Sequence, residues 1–203
     1  FGEDIRSIRF FRFKWFEFKG VQMAIARSGW SKQGGFEIYL PDTKLGTALW
    51  DAIASEGEPF NLRAGCPNLI ERIEGGLFSF GNDMTRSETP LEMGLEKYCS
   101  LDSAHNYIGK EALLRQRDAG LTRKIKGLVM DGEKVSPLSI PWQIEEAGKN
   151  IGFVTSAAYS PDWEQNIAFA MLNVDFAEVG QELTVQSTIG KHKATVCDIP
   201  FKK

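Results

Sequence analysis

The stretch that decides the fold runs from residue 24 to residue 39 and reads AIARSGWSKQGGFEIY. Apolar side chains alternate with other types over residues 22–27 and again over 36–40, which predicts two strands joined by a glycine-rich turn. Since successive side chains of a strand point to opposite faces, we expect Glu37 and Tyr39 to point the same way. Polar and aromatic groups gathered around glycines at a strand junction indicate a site.

The pattern outside this stretch predicts a mixture of strands and helices. Lys19-Gly20 is a turn signal between two alternating segments and predicts a hairpin. The predicted strands are residues 8–13, 15–18 and 21–26, and the predicted helices are residues 43–55, with Asp42 as the N-cap, 67–80 and 108–117. Arg72 lies in the second helix. We expect it to pair with Glu71, Glu74 or a nearby acid, and a contact with a ligand is the alternative.

Short alternating segments separated by turn residues dominate the chain from residue 124 onward. The predicted strands are residues 125–130, 151–155, 167–174, 183–187 and 194–199. Strands at this spacing are typical of a small antiparallel β-barrel or sandwich. The sequence therefore predicts an α+β protein with a mixed domain over residues 1–120 and a C-terminal β-barrel domain over residues 121–203.

The composition is that of an ordinary globular protein. A net charge of -3, with 42% hydrophobic and 25% charged residues, gives no electrostatic reason to expect a nucleic acid partner. We find neither an apolar run of about 18 residues nor a basic-then-apolar leader, so we expect a cytoplasmic protein without a membrane partner. The chain starts Phe1-Gly2-Glu3-Asp4 without a methionine, and we expect it to be part of a longer protein.

The cysteines and histidines do not form a recognisable metal or nucleophile pattern. The chain has three cysteines, Cys66, Cys99 and Cys197, and no two of them have Cys-x-x-Cys spacing. The odd number disfavours a disulfide framework, and the spacing disfavours a zinc site. Cys66 follows a glycine at a predicted helix start, but no partner base is evident. His105 and His192 are far apart in sequence, and we expect each on the surface or in a turn.

Two blocks of sequence resemble a known family. The first is ARSGWSKQGGFE at residues 26–37, and the second is GCPNLIERIE at residues 65–74, which continues through matching segments to residue 111. Both resemble the glycine-cleavage T-protein (aminomethyltransferase) family, and within it the dimethylsulfoniopropionate demethylase branch. The resemblance runs from about residue 5 to the C-terminus. It implies a folate-binding T-protein-like domain, of which this chain holds the later part, followed by a small β-barrel.

The resemblance implies that Glu37 and Tyr39 bind tetrahydrofolate. In the family, the glutamate of the Gly-Phe-Glu-Ile-Tyr motif, here residues 35–39, holds the pterin ring. A carboxylate suits the two parallel N–H donors of the pterin edge. The alternative is a strand glutamate that only faces water. The match of the surrounding residues to the family motif favours the folate-binding role over this alternative.

Trp30 is the residue that distinguishes the substrate. Aminomethyltransferases usually have tyrosine here, followed by an acidic pair where this chain has Lys32-Gln33. The face of an indole attracts a cation such as the sulfonium of dimethylsulfoniopropionate, so we expect Trp30 to bind the substrate. An aromatic side chain packed in the turn is the alternative.

The resemblance therefore implies a methyltransferase that moves a methyl group from dimethylsulfoniopropionate to N5 of tetrahydrofolate. The products are methylmercaptopropionate and 5-methyltetrahydrofolate. Since a neutral thioether leaves, alignment matters more than acid–base chemistry, and we name no catalytic residue. The alternatives are an aminomethyltransferase of glycine cleavage and a non-catalytic folate-binding regulatory protein. The oligomeric state stays open, with a homodimer as one arrangement.

Overall fold

The computed structural model describes residues 1–29, 34–65 and 69–201. The chain divides into two compact units, Phe1–Asn68 and Leu69–Lys203. Strands and helices are mixed through the chain, and its last part is a closed β-barrel, which confirms the predicted α+β fold class. Of the helices in the described ranges, none is both long and apolar enough to cross a membrane.

The first unit is built on a three-stranded antiparallel sheet. Its strands are β1 (Phe13–Phe18), β2 (Val21–Ala26) and β3 (Glu37–Tyr39), in the spatial order β1-β2-β3. Helix α1 (Gly46–Gly57) follows a short 3-10 turn. One face of the sheet packs into an apolar cluster whose buried members are Ile8, Met23, Ile25 and Leu49.

The turn between β1 and β2 fixes the register of the sheet. Lys19 and Gly20 both have positive φ angles, 47° and 80°. Two consecutive residues with positive φ match the hairpin turns whose twist fits that of the flanking strands. Phe18 is therefore opposite Val21, and every other pair of β1 and β2 follows from it.

The start of the chain differs from its predicted strand. Residues Glu3–Ser7 form a 3-10 helix, and β1 begins only at Phe13. Phe11 has a φ of 57°, a conformation that a continuous strand does not contain. The predicted strand over residues 8–13 is therefore wrong up to residue 12.

The helix after β3 begins as predicted. The Asp42 side chain accepts a hydrogen bond from the backbone N–H of Lys44, at 3.0 Å, and caps the 3-10 turn Thr43–Leu45 that leads into α1. Such a cap satisfies one of the amide donors that a helix start leaves without a partner. The helix ends at Gly57, two residues beyond the predicted end at residue 55.

The second unit contains a closed antiparallel barrel preceded by two helices. The helices are α2 (Leu69–Glu74) and α3 (Lys110–Ala119), and the barrel strands are β4 (Arg123–Met130), β5 (Trp142–Glu146), β6 (Lys149–Ser160), β7 (Gln165–Asn173), β8 (Glu182–Ser187) and β9 (Gly190–Cys197). Their order around the barrel is β4-β7-β6-β5-β8-β9, and β9 pairs with β4 to close it. The predicted barrel is confirmed, although the sequence patterns missed β5.

Helix α2 is shorter than predicted because Gly76 ends it. Gly76 has a φ of 69°, which ordinary side chains rarely adopt. A β-carbon built on Gly76 would lie 2.7 Å from the Ile199 side chain and 3.1 Å from the Pro200 backbone. The absence of a side chain at Gly76 therefore allows the backbone near Pro200 to approach closely.

Arg72 on α2 is held by a buried ion pair. Its Nη1 lies 2.7 Å from Oδ2 of Asp83, and the two side chains are 3% and 0% exposed. Arg72 Nη2 also donates to the Ser156 hydroxyl, while Asp83 accepts from the hydroxyls of Thr155 and Ser156. The acid that pairs with Arg72 is thus Asp83, and neither Glu71 nor Glu74 fills this role. The network ties α2 to β6.

We expect replacement of Asp83 to destabilise the protein strongly. Asp83→Asn would leave the Arg72 charge buried without its counter-ion, which costs about 3–5 kcal/mol in comparable cases. Urea denaturation of the variant measures the loss in free energy of unfolding. The matched control is Glu182→Gln, which breaks an ion pair with Lys193 whose side chains are both 61% exposed, and should leave the urea midpoint unchanged. Equal effects of the two changes would contradict a structural role for the buried pair.

Candidate functional site

The candidate site is the exposed face of the three-stranded sheet, opposite the face that packs into the apolar cluster. Two cross-strand rows lie side by side on it, namely Trp15-Ala24-Tyr39 and Phe13-Ala26-Glu37. Phe13, Trp15 and Tyr39 are 57%, 64% and 57% exposed, although such large apolar surfaces are normally covered. An aromatic cluster on an exposed sheet face indicates a contact surface, for a ligand or for another protein segment.

The centre of this face is a trough. The middle strand contributes the small side chains of Ala24 and Ala26, while the outer strands carry the larger groups. The Phe13 and Trp15 rings meet edge to face, with centroids 6.0 Å apart. A cleft of about 520 Å³ opens on the β3 side and is lined by Trp15, Ala24, Ile38, Tyr39, Leu40 and Pro41. We call the exposed face with this cleft the aromatic trough.

Glu37 supplies the charge at the aromatic trough. It lies at the start of β3, is exposed, and is opposite Ala26 in the register. The Ser28 hydroxyl donates a hydrogen bond to Oε2 of the Glu37 carboxylate. Within residues 1–29, 34–65 and 69–201, Ser28 is the side chain that hydrogen-bonds to that carboxylate, and none forms an ion pair with it. An acceptor group is thus placed beside apolar rings, which suits a flat ligand with N–H donors at its edge.

The structure places the predicted site residues as follows. Glu37 and Tyr39 share the exposed face, as their spacing predicted, and Tyr39 is opposite Ala24. Their binding of a cofactor stays a prediction. Trp30 and Lys32 lie outside the described residues, so the structure adds nothing to the prediction that Trp30 binds the substrate.

Sequence reasoning missed two residues of this surface, Phe13 and Trp15. Both lie on β1, and the sequence pattern predicts only that they belong to strands, residues 8–13 for Phe13 and residues 15–18 for Trp15. The signal was nonetheless present, because the Lys19-Gly20 turn predicts that Phe18 is opposite Val21, which puts Trp15 opposite Ala24. Counting back from the turn would have placed Phe13 and Trp15 on the same face as Ala24 and Ala26, whereas the position of Tyr39 in the row follows from the β2–β3 pairing.

The histidines do not form a second site. His105 is exposed, as predicted. His192 is 4% exposed on β9, so its predicted surface position is wrong. Its Nδ1 lies 2.8 Å from the Asp131 carbonyl oxygen and its Nε2 lies 2.8 Å from the Ser187 hydroxyl. Both ring nitrogens are satisfied locally, which explains how a polar ring is accommodated inside the barrel.

The two cysteines that the structure describes are free thiols without the features of a nucleophile. Burial raises the pKa of the Cys197 thiol to about 11, and burial also raises the pKa of Cys99. A nucleophilic cysteine needs the opposite shift. Cys66 lies outside the described residues. No group of acidic, histidine or cysteine side chains in the described ranges could hold a metal ion.

Comparison with known families identifies the class of protein. Residues 2–103 match the GCVT N-terminal domain, and residues 123–203 match the glycine cleavage T-protein C-terminal barrel domain. The chain therefore belongs to the glycine cleavage T-protein family. The predicted domain boundary after residue 120 falls between the two matches and stays a prediction.

Individual relatives agree with this assignment. The chain is 47% identical to the dimethylsulfoniopropionate demethylase DmdA of Ruegeria pomeroyi over 97% of its own length, which confirms the resemblance to that branch. It is 34% identical to an aminomethyltransferase of Caldanaerobacter subterraneus over 99% of its length. The crystal structure of aminomethyltransferase T from Bartonella henselae covers 97% of this chain with a TM-score of 0.80, at 25% identity.

The matches also define how much of each relative this chain represents. It spans 53% of the Ruegeria protein, 54% of the Caldanaerobacter protein and 54% of the Bartonella chain. The chain thus spans about half the length of the relatives it matches. The matches therefore define the family of this chain, and the activity of the whole protein is proposed below.

Proposed function

We propose that this chain belongs to a tetrahydrofolate-dependent methyltransferase whose methyl donor is dimethylsulfoniopropionate. The observation that carries the proposal is the Glu37 carboxylate at the edge of the aromatic trough. The 47% identity to a dimethylsulfoniopropionate demethylase, against 34% to an aminomethyltransferase, supports this donor over an amine.

The residues of the aromatic trough fit a folate. The pterin is a flat bicyclic ring, and Ala24 and Ala26 leave a floor on which such a ring could rest. Tyr39 and Trp15 offer aromatic surface on either side of that floor. Glu37 offers two carboxylate oxygens for the N3-H and 2-amino donors of the pterin edge, and hydrogen bonds of this charge-assisted kind are among the stronger ones in proteins.

The proposed donor rests on the sequence of the loop before β3. Trp30 provides an indole where aminomethyltransferases usually have a phenol, and Lys32-Gln33 replaces an acidic pair. The sulfonium of dimethylsulfoniopropionate is a permanent cation without an N–H donor. An aromatic face therefore suits it better than a hydrogen-bond acceptor does. We therefore assign Trp30 to the substrate and Glu37 with Tyr39 to the folate.

The proposed methyl transfer requires the protein mainly to align the methyl donor with its acceptor. When bound, tetrahydrofolate supplies N5 as the methyl acceptor. In such a transfer the carbon–sulfur bond would break as the carbon–nitrogen bond forms, with the electron pair kept by sulfur and the N5 proton released to solvent. The residues of this chain orient the two reactants and exclude water from between them, which is how positioning accelerates such transfers.

We expect the full-length protein to consume dimethylsulfoniopropionate only when tetrahydrofolate is supplied. Product formation is measured as methylmercaptopropionate and 5-methyltetrahydrofolate appearing in equal amounts. Demethylation that proceeds equally well without folate would contradict the proposal. Release of ammonia from an aminomethylated lipoyl carrier would identify an aminomethyltransferase instead, and folate binding without any turnover would identify a non-catalytic binding protein.

We expect Glu37→Gln to weaken tetrahydrofolate binding about ten- to hundredfold, since hydrogen bonds to charged groups contribute roughly 1.5–3 kcal/mol. The dissociation constant is measured by isothermal titration calorimetry on the full-length protein. Glu58→Gln is the matched control, because Glu58 is another exposed glutamate of the first unit and lies on the 3-10 turn after α1, outside the sheet. An unchanged dissociation constant for Glu37→Gln, or an equal change in both variants, would rule out this role.

We expect Trp30→Leu to raise the KM for dimethylsulfoniopropionate about three- to thirtyfold, the range set by loss of a cation–π contact. The dissociation constant for tetrahydrofolate should stay as in the unmodified protein. Trp50→Leu serves as the control, because Trp50 is 59% exposed on α1 and is not part of the aromatic trough. A loss of folate affinity in Trp30→Leu that matches its rise in KM would contradict the assignment.

A further inference from the structure

We propose that Ser28 is a positioning residue that sets the orientation of the Glu37 carboxylate for its ligand. This inference rests on the proposed function, because it concerns how Glu37 is prepared to receive the pterin edge. The hydrogen bond from the Ser28 hydroxyl to Glu37 Oε2 is the observation that carries it.

The sheet register explains why Ser28 reaches Glu37. Ala24 and Ala26 point to the exposed face of β2, and Ser28 comes two residues later along the same chain direction. With the period of two that governs strands, Ser28 continues the same face beyond the last pair of β2 and β3. Since Ala26 is opposite Glu37, Ser28 lies one cross-strand row beyond the Ala26–Glu37 pair. The contact is therefore a consequence of the pairing.

An exposed glutamate needs such a partner if it is to act as a two-oxygen acceptor. Its side chain has several rotatable bonds, and ordering a side chain of this kind only when the ligand binds weakens the affinity about three- to tenfold. A hydroxyl that already holds Oε2 reduces this loss, because it restricts the carboxylate plane before the ligand arrives.

The serine contact does not use up the acceptor capacity of Glu37. Each carboxylate oxygen has two acceptor positions, so Oε2 can accept from Ser28 and from one ligand donor at once. In the part of the chain that the structure describes, Oε1 has no hydrogen-bond partner. Both oxygens thus stay available to the paired donors of a pterin, while one of them is anchored.

The contact is too peripheral to be needed for folding. Glu37 is exposed and Ser28 is half-buried, and neither belongs to the apolar cluster of the first unit. Loss of a hydrogen bond at such a position leaves both groups accessible to water, which can replace the missing partner. Its effect should therefore appear in ligand binding and not in stability.

The test measures tetrahydrofolate binding by calorimetry on the full-length protein and its variants. Ser28→Ala should raise the dissociation constant about three- to tenfold, the factor that corresponds to ordering one side chain on binding. Ser28→Thr keeps a hydroxyl at the same position and should restore most of the affinity. In a Glu37→Gln background, Ser28→Ala should cause little further loss, because the two residues act through one contact.

The control variant is Ser55→Ala, which removes an exposed serine hydroxyl on α1 and should change neither affinity nor thermal midpoint. Unchanged affinity in Ser28→Ala, with Glu37→Gln still impaired, would overturn the positioning role and leave the proposed function intact. Equal losses in the alanine and threonine variants, together with a lower thermal midpoint, would also overturn it by indicating a structural role. If Glu37→Gln itself binds folate normally, the proposed function fails, and the inference fails with it.

Discussion

The site depends on one constraint, the register of the hairpin between β1 and β2. The Lys19-Gly20 turn uses two positive φ angles, and it leaves no freedom in how the strands pair. A slip of one residue would send Trp15 to the buried face and bring an apolar core residue to the surface. This register puts Trp15 opposite Ala24, and the pairing of β2 with β3 puts Tyr39 on the other side of Ala24, which creates the trough.

The chemistry we propose suits such a simple arrangement. Methyl transfer from a sulfonium needs no proton shuttle at the departing sulfur, so the surface has to recognise and align its ligands. The aromatic trough provides flat apolar contact, and the Glu37 carboxylate provides direction and charge. The hydrogen bond from Ser28 fixes, as we propose, the orientation of that carboxylate, and it does so without taking part in the reaction. The ion pair of Arg72 with Asp83 in the second unit has a different task, because it is buried and stabilises the packing of α2.

Local patterns predicted the elements well and non-local contacts poorly. Alternation around a short turn is a local property, so the hairpin and the shared face of Glu37 and Tyr39 were predictable from the sequence. The partner of Arg72 was not, because Asp83 is separated from it by a loop whose path no periodicity encodes. Strand β5 was missed since its short alternation ends in Glu145-Glu146, a pair typical of solvated turns. His192 was misplaced because one of the two groups that hold its ring inside the barrel, the Asp131 carbonyl, is 61 residues away in the sequence.

The most direct test is a crystal structure of the full-length protein with tetrahydrofolate bound. The account predicts that both carboxylate oxygens of Glu37 lie within hydrogen-bonding distance of N3 and the 2-amino group of the pterin, with the ring over Ala24 and Ala26. A pterin bound elsewhere, with Glu37 facing only water, would contradict it.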